Sequence, residues 1–296
     1  MTTADVPAAG AEPPWRALLV DARDRLAERG VDNPEQEARW LVQRAAGFAP
    51  GELAVGLDTP APLGAATYFH GMLVRRLAGE PLQYVLERWS FRRLELAVDR
   101  RVLIPRPETE VLAGLALDEC RRLSARIALD LGTGSGAIAL ALADERPGLE
   151  VWATDRDAGA LEVARANQLA LGPSVAEVRL CEGSWFDALP EGLAGQVDVI
   201  VSNPPYVSDA EMDRLPDEVR DWEPWGALNS GPDGLEDVAD IVFEAPAWLA
   251  RRGALLVEMA PHQVGRAAHL AAEVGFTSVS VWPDLAGRDR ILLARR

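Results

Sequence analysis

The chain has 296 residues, 48% of them hydrophobic and 26% charged, which is long enough for two domains or one large one. All 30 basic residues are arginine, so Schiff-base lysine chemistry and the phosphate-binding lysine of a P-loop are both excluded. The net charge of −16 disfavours tight binding to a nucleic-acid backbone unless a local basic patch supplies it.

Residues 1–13 are rich in Ala and Pro and are expected to be disordered. They lack a basic segment followed by an apolar core, so no secretory signal is expected. No apolar run is long enough to span a bilayer, and the expected compartment is the cytoplasm. Cys120 and Cys181 cannot by themselves make a disulfide framework or a zinc site.

Trp15, Leu18, Leu19, Ala22 and Leu26 recur at helical spacing, with Gly30 as a stop. A second helix starts in "DNPEQEARWLVQRAAG", with Asn33 at the N-cap, Pro34 in the first turn and Gly47 at the end. A third runs from about 61 to 78 and closes at Gly79. Residues 14–85 thus predict a small helical domain, for packing, dimerisation or docking. Trp89, Phe91, Leu94, Leu96 and Val98 mostly alternate, which predicts a hairpin linker over 86–108.

From 109 to 296 strands and helices alternate. "ARIALDL" leads into a helix near Gly136, "EVWATD" into one from Asp157, and "EVRLC", "VDVIVS" and "GALLVEM" follow. "TSVSVW" and "RDRILLAR" could close the domain as an antiparallel pair. The pattern is that of an α/β fold with a doubly wound, Rossmann-like sheet.

"ALDLGTGSGAIALALA" places Gly132, Thr133, Gly134, Ser135 and Gly136 where a buried strand turns into a helix. Glycine there permits positive φ and a close backbone approach to a ligand. Asp155 ends the next strand at the spacing of a carboxylate for ribose hydroxyls. To this point NAD and S-adenosylmethionine fit equally. Asp130, just before the glycines, would repel a pyrophosphate but could attract an ammonium group or order water; a local capping role is the alternative. Trp185 in "CEGSWFD" could lie against adenine or belong to the core.

"SNPPY" separates the cofactors. An amide nitrogen is a poor nucleophile because its lone pair is delocalised into the carbonyl, and the exocyclic amine of adenine shares the problem. A site that methylates either should accept hydrogen bonds from the N–H groups. Asn203 offers a side-chain oxygen, and Pro204 offers a carbonyl held extended by Pro205. Tyr206 can pack over a planar substrate. Such a site works by orientation and electrostatics, without metal or covalent intermediate. A simple Asn-Pro-Pro turn is the structural alternative.

The landmarks "PLQYVLERWSF", "VLIPRPETE", "DLGTGSGAIALALA", "ATDRD", "SNPPY", "GPDGLE" and "DLAGRDR" together resemble the PrmC/HemK family of glutamine methyltransferases acting on peptide chain release factors. The resemblance runs from about residue 14 to the C-terminus, and "LIPRPETE" is more discriminating than "NPPY", which adenine methyltransferases share. It implies S-adenosyl-L-methionine as cofactor, a helical N-terminal domain that helps dock the release factor, and transfer to the N5 amide nitrogen of the glutamine in a Gly-Gly-Gln loop. Carried over by position, Gly132 to Gly136, Asp155, Trp185 and Asn203 contact the cofactor, while Asn203, Pro204, Pro205 and Tyr206 hold the glutamine. A monomer without stable nucleic-acid or membrane partners is expected.

Two departures stand out. Glu87 replaces the glycine of a "YxxG" pattern, and "EMAPHQ" replaces "E-I-G" after the fifth strand. Thr109 and Glu108 could border the site, with helix capping by Thr109 as the alternative, and His70, His262 and His269 read as structural or surface residues. Rival readings are glutamine methylation of a ribosomal protein, adenine-N6 methylation of nucleic acid, and cofactor binding without catalysis.

Overall fold

A computed structural model describes residues 12–49 and 51–296; most of the segment expected to be disordered, 1–11, lies outside the described residues. The chain divides after Leu86 into two compact units. The first contains α1 (Trp15–Glu28), α2 (Pro34–Ala46), α3 (Leu53–Gly56), α4 (Leu63–Leu77) and α5 (Leu82–Leu86). Trp15, Leu26, Leu41, Phe69 and Leu73 form the centre of its core. α2 begins at Pro34 and ends at left-handed Gly47, as its sequence predicts, but Asn33 makes no side-chain cap bond.

The second unit opens with an antiparallel hairpin of β1 (Arg88–Phe91) and β2 (Leu94–Ala97), in which Phe91, Leu94 and Leu96 are buried. Glu87, the residue standing where glycine was expected, has φ +59°. The backbone there keeps the conformation that glycine serves, at a cost of about 1–2 kcal/mol for an L side chain. α6 (Pro107–Leu123) follows, with Pro107 in its first turn, Glu108 and Glu110 near its positive end, and Arg121 and Arg122 near its negative end.

Then come β3 (Ile127–Leu131), α7 (Ala137–Glu145), β4 (Glu150–Asp155), α8 (Ala158–Leu171), β5 (Arg179–Glu182), β6 (Val197–Ser202), α9 (Asp209–Met212), α10 (Asp217–Arg220), α11 (Glu236–Trp248), β7 (Leu249–Glu258), α12 (Val264–Glu273), β8 (Ser278–Pro283) and β9 (Asp289–Arg295). The strands form one seven-stranded sheet in the order β5-β4-β3-β6-β7-β9-β8. The five strands from β5 to β7 run parallel, and β9 is antiparallel to both β7 and β8, as the terminal pair predicted.

Period-two alternation splits the strand side chains between two cores. Val199, Val201, Ala254 and Leu256 face α6 and α7; Ile200, Leu255 and Val257 face α11 and α12. The chain winds outward from β3 to β5, then returns to place β6 on the other side of β3. That reversal opens a crevice beyond the carboxyl ends of β3 and β6, the usual ligand position in such sheets. No helix among the described residues is long and apolar enough to cross a membrane.

Candidate active site

The turn after β3 forms one wall of the crevice. Gly132, Gly134 and Gly136 have φ of +70°, +56° and +83°. A Cβ on Gly132 would lie 3.0 Å from Trp185 Cζ3, so this glycine allows both the backbone conformation and the approach of the indole. Gly132 and Thr133 donate their backbone N–H groups to the Thr154 carbonyl, each at 2.9 Å, which ties the turn to the end of β4. Gly132, Thr133, Gly134, Ser135, Asp155 and Trp185 all line one cavity.

Gly136 does not line that cavity. It caps α7, and a Cβ there would come within 2.9 Å of Leu140 Cδ1 and 3.3 Å of Ala164 Cβ. Helix packing and the positive φ therefore call for glycine at position 136.

Asp155 Oδ2 accepts the Gly134 N–H at 2.8 Å, and Oδ1 accepts the Asp157 N–H at 2.9 Å. Each oxygen keeps a lone pair for a ligand hydroxyl. Burial raises the Asp155 carboxyl above its ordinary range against these two backbone bonds. Asp130 is fully buried and sits behind the turn: its Oδ2 accepts the Thr133 hydroxyl at 2.6 Å and the Ala139 N–H at 3.1 Å. The capping alternative thus describes this oxygen, while Oδ1 is buried without a partner. Burial pushes the Asp130 carboxyl up to about 7, with the two hydrogen bonds opposing and the Asp155 charge adding.

The "NPPY" segment emerges from β6 on the other side of the crevice. Asn203 is shared by two cavities, the glycine-lined one and a second that also contains Pro204 and Tyr206; Pro205 lines the first. Asn203 Nδ2 donates to Thr109 Oγ1 at 3.1 Å, and its Oδ1 is buried with no hydrogen-bond partner. A buried acceptor left unpaired costs stability, so its retention calls for a reason outside folding. Thr109 lies in the first turn of α6, where Arg106 holds the cap position, so it borders the site and does not cap the helix. Burial and the nearby Glu258 charge push the Tyr206 phenol up, which keeps it neutral.

Three fixings escaped the sequence reading. Gln263 is 1% exposed; its Nε2 donates to the carbonyls of Tyr206 at 2.8 Å and Gly234 at 2.7 Å, and its Oε1 accepts the Ala260 N–H at 3.0 Å. The departure "EMAPHQ" therefore supplies the clamp on the carbonyl end of "NPPY". Asn167 Nδ2 donates to the Ser135 carbonyl at 2.9 Å and its Oδ1 accepts the Ala97 N–H at 2.6 Å, tying the hairpin to the glycine turn. Glu223 pairs with Arg106 and accepts the Ile104 N–H at 3.3 Å, which anchors "LIPR". His262, expected to be a surface residue, also lines the second cavity. Most of the partners of Gln263, Asn167 and Glu223 lie far away in sequence, which hid these fixings from a reading of the chain.

A sheet of this order, a glycine turn backed by a carboxylate at the end of β4, and an amide loop at the end of β6 define an S-adenosylmethionine-dependent methyltransferase of the Rossmann-like class. The fold matches a methyltransferase structure from Pyrococcus furiosus at 19% identity and a TM-score of 0.50, over 76% of this chain and 97% of that one. Residues 17–86 match the PrmC N-terminal domain, and residues 111–216 match the methyltransferase small domain. The chain is 43% identical to the release factor glutamine methyltransferase of Cereibacter sphaeroides, over 92% of this chain and 94% of the relative. It is 38% identical to that of Geobacter sulfurreducens, over 95% and 96%. The chain belongs to the release factor glutamine methyltransferase family.

Proposed function

We infer that this chain methylates the N5 side-chain nitrogen of the glutamine in the Gly-Gly-Gln loop of peptide chain release factors, with S-adenosylmethionine as donor. The observation that carries the reading is the buried, unpartnered Asn203 Oδ1 at the residue two cavities share. Bound S-adenosylmethionine supplies an electrophilic methyl group on sulfonium. The residues present fit it: the glycine turn and Trp185 line one cavity, and the Asp155 oxygens at its edge retain acceptor capacity for ribose hydroxyls. Asn203 Oδ1 and the Pro204 carbonyl accept the two N–H groups of the glutamine amide, and Tyr206 packs over its plane. Two acceptors of this kind hold the nitrogen with its π density toward the methyl and stabilise the positive charge that grows on it. The N-terminal helices serve the docking of the release factor, and the enzyme works as a cytoplasmic monomer.

The test is incubation with methyl-labelled cofactor and purified release factors, followed by mass spectrometry of the modified peptide. Label on the Gly-Gly-Gln glutamine is expected. Label on a ribosomal protein or on adenine, with none on a release factor, would overturn the reading.

A further inference from the structure

Among the described residues, Asn203 shares its place on both cavities with Leu103 and Ala227. Leu103 comes from the segment between β2 and α6, Asn203 follows β6, and Ala227 ends the single 3-10 turn Trp225–Ala227 between α10 and α11. All three are half-buried. On one side of them lie the glycine turn and Asp155, and on the other Pro204 and Tyr206. They form a partition with one polar member and two apolar ones. A methyl group that leaves a donor on the first side for an acceptor on the second has to cross it.

The apolar members are held firmly. Arg156, the residue after Asp155, donates from Nη2 to the Gly226 carbonyl at 2.9 Å. The Leu228 carbonyl accepts the N–H groups of Tyr206 at 3.2 Å and Val207 at 2.9 Å. Ala227 is thus pinned on one side to the end of β4 and on the other to the amide loop. Leu103 is tied to the same turn through buried Glu223, which accepts the N–H of the next residue, Ile104, at 3.3 Å and pairs with Arg106. With the backbone fixed on both segments, a larger side chain at 227 has to grow into the opening, and a smaller one at 103 has to widen it. Neither wall can hydrogen-bond, so an amide that reaches the partition finds its side-chain acceptor in the unpaired Asn203 Oδ1.

We propose that Leu103 and Ala227 are specificity-determining residues for methyl transfer: they set the width of the passage beside Asn203, so that a flat terminal amide on an unbranched chain reaches the methyl and a branched one does not. The proposal rests on the reading of Asn203 as the substrate's acceptor.

The experiment compares Ala227→Val, Ala227→Leu, Leu103→Ala and the double variant Leu103→Ala/Ala227→Leu in the full chain. Single-turnover rates are measured on an intact release factor at saturating cofactor, with cofactor affinity by calorimetry and melting temperature alongside. Ala227→Leu should slow transfer at least about 100-fold and Ala227→Val about 10-fold, both by more than they weaken cofactor binding. Leu103→Ala should cost about 3- to 10-fold, through looser positioning. The double variant restores the total volume and should return to within about 10-fold of wild type. Synthetic Gly-Gly-Gln peptides carrying glutamine or its 4-methyl derivative test the width directly. The wild type should prefer the unbranched peptide at least about 10-fold, and Leu103→Ala should cut that preference at least about threefold.

Wild-type transfer by Ala227→Leu, losses that simply multiply in the double variant, or an unchanged preference in Leu103→Ala each overturn the proposal and leave the Asn203 reading standing. Rate losses no larger than the losses of cofactor affinity assign the two residues to the cofactor cavity alone and also overturn it. A wild-type enzyme that leaves the release-factor glutamine unlabelled removes the reading, and the proposal falls with it.

Discussion

Asn203→Ala separates folding from function because the two effects should have opposite signs. In the folded protein Asn203 makes one side-chain hydrogen bond, to Thr109, and buries one unpaired oxygen. Losing the bond costs about 0.5–1.5 kcal/mol, while removing a buried unsatisfied acceptor returns about 1–3 kcal/mol. The variant should therefore be as stable as the wild type or slightly more so, with a Tm unchanged or raised by a few degrees. Turnover should fall by about 10²–10³, equivalent to roughly 2.7–4 kcal/mol, as when one preorganised donor is deleted from an oxyanion hole. Asn203→Asp retains an acceptor oxygen and should keep more activity than Asn203→Ala. Calorimetry with the cofactor, thermal melts and single-turnover methylation of a release factor together decide the matter. Unchanged turnover with a Tm several degrees lower would mean that the loop is a structural turn, and the reasoning would fail.

Asp155→Ala should weaken S-adenosylmethionine binding by about 1–3 kcal/mol, read by calorimetry, with no competition from NAD; equal affinity in both proteins refutes the ribose contact. Asp130 has a carboxyl pushed up to about 7, so its contribution to stability is fully present below its unfolded pKa and is lost as pH rises through about 7. Relative to Asp130→Asn, which can accept the same two hydrogen bonds, the wild type should lose unfolding free energy between about pH 4 and 7, at most about 1.4 kcal/mol for each pH unit. Parallel pH profiles from urea unfolding would contradict this. Gly234→Ala puts a Cβ 2.7 Å from the Tyr206 carbonyl and 2.8 Å from both Gln263 Nε2 and Ser208 N, at φ +71°. It should destabilise by at least about 2 kcal/mol and slow turnover by shifting "NPPY", whereas a wild-type melting curve would show that the loop yields freely.

The legible parts of this fold were those that depend on neighbours in sequence. Gly47, Gly79 and Gly132 mark helix ends and a turn because positive φ is a local property, and all three have it. The short apolar runs "VDVIVS" and "GALLVEM" were legible as strands because each feeds two cores and is buried on both faces. Short helices such as α3, α9 and α10 span four residues each, too few for a 3.6-residue period to declare itself. Contacts that set the site were hidden for another reason. Asn203 meets Thr109 across 94 positions, Gln263 reaches Tyr206 across 57, and Asn167 reaches Ala97 across 70. A lone polar residue among apolar ones shows that a partner must exist, since burial without one is costly, but not which partner. Glu87 stood out as a departure from a pattern, and only the backbone supplied its reason.

The groups around the amide loop also bear on what kind of catalyst this is. A glutamine amide holds its protons far too tightly for a carboxylate to remove one before the methyl arrives, so a strong base at the nitrogen would gain little. The nitrogen must instead be oriented and its growing positive charge met by fixed acceptors. Asp130, a carboxyl that burial drives up to about 7, spends its Oδ2 on bracing the glycine turn. A side chain with strong acceptor character is there used to hold a neighbour. In the proposed arrangement the position next to the substrate falls to a neutral amide and a proline carbonyl, which would accept hydrogen bonds without trapping the proton that must leave. Replacing the amide by a permanent base would therefore bind the substrate nitrogen more strongly in the ground state without a matching gain at the transition state.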